Sequence, residues 1–374
     1  MDTFATDLDK KVHVQANDPR YEAIYKDIDT IVKRLCERLK YNHPYYENAY
    51  VRRTGSIEAG VKVGLPHETD YLLYVPEPIR NDQLLDLLHE NAALIVNNSL
   101  DELTLGLHGK WIIRDVKKHH VGICLVMEYR AVKGNKEPVG VTTDIVSVVE
   151  YNSVDDIFLR LNKFTSSAQA YLPHTMEEYV GKGMIYRLAS KGSYDDIDTG
   201  QIENDIIKDL PEGIKRGFRL AKYLTQFCIY DNHELNHEPS IIIKLDKREY
   251  TLFGYEPRIK SYHIRVCLLH LLIQSAGHRD AIHLTDSVLA LCLLKMYRYR
   301  GSLSNKIGSS YPFFHHPLLK RKTVNLHNFD IDWEWRLSKL DEIVETFATK
   351  PPLNDIDKCS LLNLGHDCCQ NTYL

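Results

Sequence analysis

The sequence predicts an α+β protein of two lobes, a mixed-sheet lobe followed by a mostly helical one. Three observations carry that prediction. The segments TDYLLYVPE, KWIIRDV, GICLVMEYR and VGVTTDIVSVVEY, rich in β-branched and aromatic residues, fill the region 50–151. From about residue 154 the apolar spacing turns helical. One long amphipathic helix precedes both. The 374 residues suit one large domain or two lobes.

The elements follow in order. Residues 1–18 read as a flexible tail that ends at Asp18-Pro19, an N-cap followed by a proline suited to the first helical position. Ile24, Ile28, Ile31, Leu35 and Leu39 then come at spacings of 4, 3, 4 and 4, a single stripe on a spine helix whose other face carries Lys26, Lys33, Arg34 and Arg38. The spine helix and the strands form the first lobe, 19–155, with one helix at about 81–96. The second lobe, 156–374, opens its main helix at Pro211, with Ile214, Phe218, Ala221, Leu224 and Phe227 as apolar positions. Further helices are expected at 261–275, with Gly277 as C-cap, at 286–299 and at 330–349.

Composition excludes some functions. With 47 Lys+Arg against 51 Asp+Glu and a net charge of -4, the chain is not a uniformly basic, histone-like binder, although a local basic patch is allowed. A content of 44% hydrophobic and 26% charged residues excludes long disorder and a coiled-coil rod. No leader sequence and no apolar run of about 18 residues or more is read, so no membrane partner is expected. The 8 cysteines form no C-x-x-C pair, and several lie in apolar runs. Buried reduced thiols in a cytoplasmic protein are the expectation.

The chemistry concentrates in GSIEAGVKVGLPHETDYLLYV. Gly55-Ser56 lies where a loop would enter the core. Glu68 and Asp70 follow Ser56 by 12 and 14 positions and, two apart at a strand start, point to one face. Asp144 sits inside the apolar strand VTTDIVSVVE, where a carboxylate is costly unless paired or bound to a cation. Three acids converging on neighbouring strands suit two hard cations, Mg²⁺ or Mn²⁺. Such ions, about 3.5–4 Å apart, activate an attacking hydroxyl and stabilise a leaving pyrophosphate. Gly55 and Ser56 can offer N–H groups and a hydroxyl to a triphosphate. No P-loop and no kinase-type glycine loop is present. Taken alone, Glu68 and Asp70 also read as ordinary solvated acids at a strand edge. In combination with Gly-Ser and the embedded Asp144 they make the pattern of the nucleotidyltransferase superfamily.

Beyond this pattern, residues 19 to about 345 resemble the cyclic GMP–AMP synthase-like receptors, metazoan nucleotidyltransferases that make cyclic dinucleotides. SYHIRVCLLHLLIQ resembles the family's Ser-Tyr-His helix start, which implies Ser261 on a nucleotide phosphate and Tyr262 stacked on a base. FRLAKYLTQF implies Lys222 on the donor phosphates, and YRLAS implies Arg187 on a purine edge. SSYPFFHHPLLKRKTVN is similar to the family's C-terminal aromatic-proline segment. The resemblance implies a bilobed nucleotidyltransferase fold, with two cations on Glu68, Asp70 and Asp144 and with ATP and/or GTP as substrates. It further implies an innate immune sensor activated by nucleic acid, with double-stranded RNA favoured over DNA. Lys215 and Arg219 occupy positions resembling the family's phosphate-contacting lysines, and Lys33, Arg34 and Arg38 could continue that strip. Each residue has a plainer reading too: Tyr262 as a partly buried aromatic, Arg187 as an ion-pair partner, and the helix cations as solvated faces.

Two departures from the family stand out. The zinc-binding insertion of the vertebrate DNA sensor has no counterpart in YDDIDTGQIENDIIKDLPEGIKRG, which lacks Cys and His. Cys228, His233 and His237 offer three ligands where structural zinc takes four, so no zinc is expected. The family's guanine-reading threonine is replaced by Val146, which leaves the choice of base open. Three alternatives stay open on the same residues. They are an inactive scaffold on this fold, an oligoadenylate-type synthase making linear products, and a pure nucleic-acid-binding module.

Overall fold

The Ile24–Leu39 stripe becomes the buried face of helix α1, Glu22–Asn42, widened by Tyr25, Val32 and Cys36. Each fully buried aliphatic side chain contributes roughly 1.5–3 kcal/mol, so the stripe outweighs the caps in holding the helix to the sheet. Tyr21 caps the N-terminus without a side-chain bond. Pro44 ends the helix by holding His43 extended, as a residue before proline prefers. The computed structural model describes residues 9–10, 13–14, 21–63, 68–76, 83–119, 121–131, 138–151, 176–189, 197–226, 228–230, 241–245, 248–253, 261–275, 289–290, 292–293, 313–315, 318 and 323–325. The expected Asp18-Pro19 cap lies outside them.

The chain divides into two units. The first comprises Val14–Val154 and Pro173–Asp209. After α1 come β1 (Tyr50–Thr54), α2 (Gly55–Glu58), β2 (Glu68–Tyr74), α3 (Gln83–Thr104), β3 (Gly109–Lys118), β4 (Gly122–Ala131) and β5 (Val139–Glu150). Then follow α4 (Met176–Gly181), β6 (Tyr186–Leu188), β7 (Ile197–Asp198) and α5 (Gly200–Asp209). The sheet order is β1-β2-β5-β4-β3, with β6 paired to β5 and β7 to β6. β2 and β5 run parallel, and the other neighbouring pairs run antiparallel. The sequence reading put everything after 155 in the second lobe. The segment Pro173–Asp209 returns instead to the sheet unit, because β6 hydrogen-bonds to the end of β5.

Period-two alternation gives this sheet two different faces. Tyr71, Leu73, Ile123, Leu125, Met127, Val141, Ile145 and Val149 join the residues of α1 and α3 in one core. Leu72, Tyr74, Val148 and Tyr186 form a smaller cluster on the opposite face. The same alternation places Glu68, Asp70 and Asp144 on that second face.

Two groups on α1 tie it to the rest of the unit. Asp27 is buried and accepts hydrogen bonds from the backbone N–H groups of His108 (2.9 Å) and Gly109 (3.1 Å), and from Trp111 Nε1 (2.8 Å). Arg34 donates to the carbonyl oxygens of Glu102, Leu103 and Leu105 at 3.3, 3.1 and 2.7 Å. These are carbonyls at the end of α3, which a helix leaves without internal partners.

The second unit comprises Met1–His13, Asp155–Leu172 and Leu210–Leu374. It contains α6 (Glu212–Gln226), a three-stranded sheet of β8 (Cys228–Tyr230), β9 (Ile241–Leu245) and β10 (Arg248–Phe253) in the order β8-β10-β9, and α7 (Ser261–Ser275). A hairpin of β11 (Phe313–His315) and β12 (Thr323–Asn325) follows. The sheet departs from the helical expectation: IIIKL and REYTLF are β-branched and aromatic runs that pair in register. Of the helix expected at 286–299, residues 289–290 and 292–293 are helical. Gly277, His233, His237 and the helix expected at 330–349 lie outside the described residues. No helix among the described residues is long and apolar enough to cross a membrane.

Candidate active site

The site is a row of side chains running across four strands. Thr54 of β1 faces Asp70 of β2, Asp70 faces Asp144 of β5, and Asp144 faces Cys124 of β4. Glu68, two residues before Asp70, joins the row from the strand end. One carboxylate oxygen from each of Glu68, Asp70 and Asp144 lies within 4.8 Å of the other two. Asp70 and Asp144 are half-buried and Glu68 is exposed. On the opposite face of the same two strands, the hydroxyls of Thr69 and Thr143 share a buried 2.8 Å hydrogen bond. That bond clamps the register that sets Asp70 against Asp144.

Gly55 follows Thr54 directly and has φ +79. A Cβ at this position would stand 2.0 Å from Asp70 Oδ2, so only glycine lets the backbone pass this close to the carboxylate. Ser56 follows in the single turn α2, whose carbonyl accepts from Val61 N at 2.9 Å. Asn204 of α5 donates to Thr54 Oγ1 at 3.0 Å and steadies the strand end before this turn.

Lys62 escaped the sequence reading. Its side chain is buried, and Nζ lies 3.2 Å from Glu68 Oε2. The available signal was a lysine between two valines in V-K-V. Cys124, in the apolar run GICLVM, is a second such residue. Burial, a hydrogen bond to Asp144 and that carboxylate's charge push its thiol up to about 12. The face-to-face pairing with Asp144 is a property of strand register, which neither strand reveals alone.

The donor set of Glu68, Asp70 and Asp144 is all oxygen and all anionic, and the oxygens lie close enough to share cations. The residues therefore fit Mg²⁺ or Mn²⁺.

No protein-family model matches the sequence. No curated protein matches it. Among solved structures, the chain is similar to one titled as that of the E. coli MS115-1 CdnC:HORMA-deltaN complex, with 17% identity and a TM-score of 0.42 over 92% of this chain and 86% of that one.

The other expected site residues fall differently. Arg187 lies on β6 opposite Val149, on the face that carries Ile145 rather than the face of Asp144. Its Nε is buried without a hydrogen-bond partner among the described residues. The structure thus does not bring Arg187 to the acids. Val146 shares the face of Asp144 and packs on the Leu72–Tyr74 cluster. In the second unit, Lys222 of α6 is buried, with Nζ 5.7 Å from the centre of the Phe218 ring. Ser261 and Tyr262, both half-buried, open α7.

The expected basic strip is largely committed to internal contacts. Arg219 is fully buried, where its guanidinium grips both oxygens of Asp9 at 2.6 Å and Glu212 at 2.5 Å. The 4-and-3 spacing of Lys215, Arg219 and Lys222 correctly says that they share a face, but that face is turned inward at Arg219 and Lys222. Arg34 caps α3, and Arg38 pairs with Glu102. Lys33 is exposed, and Lys215 lies 3.8 Å from Glu212.

Proposed function

We propose that the protein is a nucleic-acid-activated innate immune sensor that joins ATP and/or GTP into a cyclic dinucleotide by nucleotidyl transfer. The observation that supports this most is the convergence of Glu68, Asp70 and Asp144 beside a glycine that no other residue can replace. Those three acids would hold Mg²⁺ or Mn²⁺, which when bound offsets triphosphate charge and eases ionisation of the attacking hydroxyl.

The chain's own residues do the rest. Gly55 and Ser56 receive the donor phosphates through backbone N–H groups and a hydroxyl. The family resemblance implies a phosphate contact for Ser261 and a base stacked on Tyr262, worth about 1–3 kcal/mol; Lys222, given the same role by that resemblance, is buried here. Asp144 orients the hydroxyl of the second nucleotide. That hydroxyl attacks the α-phosphorus, a new P–O bond forms, and the bond to pyrophosphate breaks. A second displacement of the same kind closes the ring. Positioning and charge complementarity supply most of the rate.

Activation by double-stranded RNA belongs to the same reading, with the exposed Lys33 as the phosphate contact that remains on α1 from the expected strip. A cytoplasmic location accords with the burial of Cys36, Cys124, Cys267 and Cys292.

The test combines purified protein, labelled ATP and GTP, Mg²⁺ or Mn²⁺, and a panel of single- and double-stranded RNA and DNA. Pyrophosphate release and a cyclic product, both raised by double-stranded RNA, are expected. A linear product would instead identify an oligoadenylate-type synthase. Nucleic-acid binding without pyrophosphate release would overturn the enzymatic reading.

A further inference from the structure

Asp144 has a second set of neighbours. Cys124 faces it across the β4–β5 ladder, on the side away from Asp70. His119 comes from the turn that leads into β4, where its N–H donates to the Gly122 carbonyl at 2.8 Å. A Cβ on Gly122 would stand 2.0 Å from the Ile145 carbonyl oxygen, so the bare backbone lets this turn settle directly against β5. As a result, one imidazole nitrogen of His119, the Cys124 sulfur and one Asp144 oxygen all lie within 4.8 Å of one another. Cys124 is buried, Asp144 half-buried and His119 exposed. The group is enclosed on the sheet side and reachable from solvent on the imidazole side.

These donors differ in kind from those of the acid triad. Nitrogen and sulfur ligands suit Zn²⁺, which takes three protein ligands and a water in an open tetrahedral site. Mg²⁺ keeps to oxygen.

We propose that His119, Cys124 and Asp144 form a binding site for a thiophilic divalent cation, Zn²⁺ above all, which on binding withdraws Asp144 from the acid triad. The geometry of the site stands by itself, while the inhibitory consequence rests on the function proposed above. On binding, the Cys124 thiol releases its proton to water and the sulfur becomes a ligand. Asp144 is shared between the two sets, so occupancy of one weakens the other. Zn²⁺ then acts as a brake on the transferase, and excess Mg²⁺ relieves it.

The test uses Co²⁺ as a spectroscopic stand-in, titrated into the full chain without nucleotide. A near-ultraviolet sulfur-to-cobalt charge-transfer band is expected. It should disappear in Cys124→Ser, need at least about 10-fold more Co²⁺ in His119→Ala, and bleach when Zn²⁺ is added. Circular dichroism confirms that both variants are folded. No band in the wild type, or a band unchanged by Cys124→Ser, overturns the site. A second arm follows pyrophosphate release in Mg²⁺: Zn²⁺ should inhibit the wild type and inhibit His119→Ala far less. Equal inhibition of the two overturns the brake. A Cys124-dependent band in a protein that releases no pyrophosphate upholds the metal site and removes the transferase instead.

Discussion

Asp70 and Asp144 face each other across the parallel pair of β2 and β5, with carboxylate oxygens within 4.8 Å. Two unit like charges at such a distance, with nothing else near them, would repel by about 3.5 kcal/mol at an effective dielectric of about 20. A cation shared between the two carboxylates would offset that repulsion. Replacing Asp144 by Asn removes the repulsion but keeps the shape. The expected result is a loss of pyrophosphate release of at least about 100-fold. Unfolding in urea should meanwhile show stability equal to or above that of the wild type. A strongly destabilised Asp144→Asn would make Asp144 a structural acid.

Gly55 is the second point of leverage. At φ +79, with Asp70 Oδ2 where a Cβ would go, Gly55→Ala must move either the turn or the carboxylate. The strained backbone alone costs roughly 1–2 kcal/mol. Turnover should fall with the stability loss, and also at temperatures where the variant is fully folded. A variant equally stable and equally active would mean that the close approach is relaxed in solution.

Asp27 is the contrasting acid, buried and saturated with donors. Asp27→Ala strands the Trp111 indole N–H and two backbone N–H groups in the core. Its predicted cost is about 2–5 kcal/mol in denaturant unfolding, with the nucleotide KM unchanged in whatever fraction remains folded.

Arg219 and Lys33 separate structural cations from surface ones. Arg219→Ala leaves Asp9 and Glu212 without their shared guanidinium and should lower stability by about 3–5 kcal/mol. Lys33→Glu, at an exposed position of α1, should leave the melting temperature unchanged within about 1 °C. It should weaken activation by double-stranded RNA more at low salt than at high salt. Unchanged activation at every salt concentration would remove Lys33 from the nucleic-acid surface.

Alkaline pH tests the buried acids that hold their protons. Burial raises Cys36 from its ordinary 9.0 to about 11 and Tyr74 from 10.0 to about 12, and burial together with Asp144 raises Cys124 to about 12. Because the folded state binds these protons more tightly, the stability they contribute is complete below their ordinary values and is lost as pH rises toward the folded ones. Unfolding free energy should therefore hold steady up to about pH 9 and then fall, by up to about 1.4 kcal/mol per pH unit for each such group. Urea titrations between neutral pH and the onset of alkaline unfolding measure this slope.

The legible parts of the molecule are those encoded within one element. The stripe from Ile24 to Leu39 states its own period, and the E-x-D of Glu68 and Asp70 states a common face. An aspartate amid the valines of β5 advertises its own cost. What stayed hidden depends on pairing between elements. Cys124 and Thr54 enter the acid row only through register. Arg219 meets Asp9, 210 positions away, and no helical spacing reports that partner. Arg187 sits one residue from the parity that would have brought it to the face of Asp144. The sheet of β8, β9 and β10 was readable in IIIKL and REYTLF, and was masked by the helical period on either side.

The bond between Thr69 and Thr143 joins positions 74 apart in the chain, and Asp70 and Asp144 span the same interval. α3, β3 and β4 are all synthesised within that gap. At about 5–20 residues per second, a nascent chain carries Glu68 and Asp70 for roughly 4–15 seconds before Asp144 is made. During that time β2 has an open edge where β5 will lie, a template for pairing with the wrong strand. The row of acids thus cannot assemble until β5 has been made and has settled beside β2.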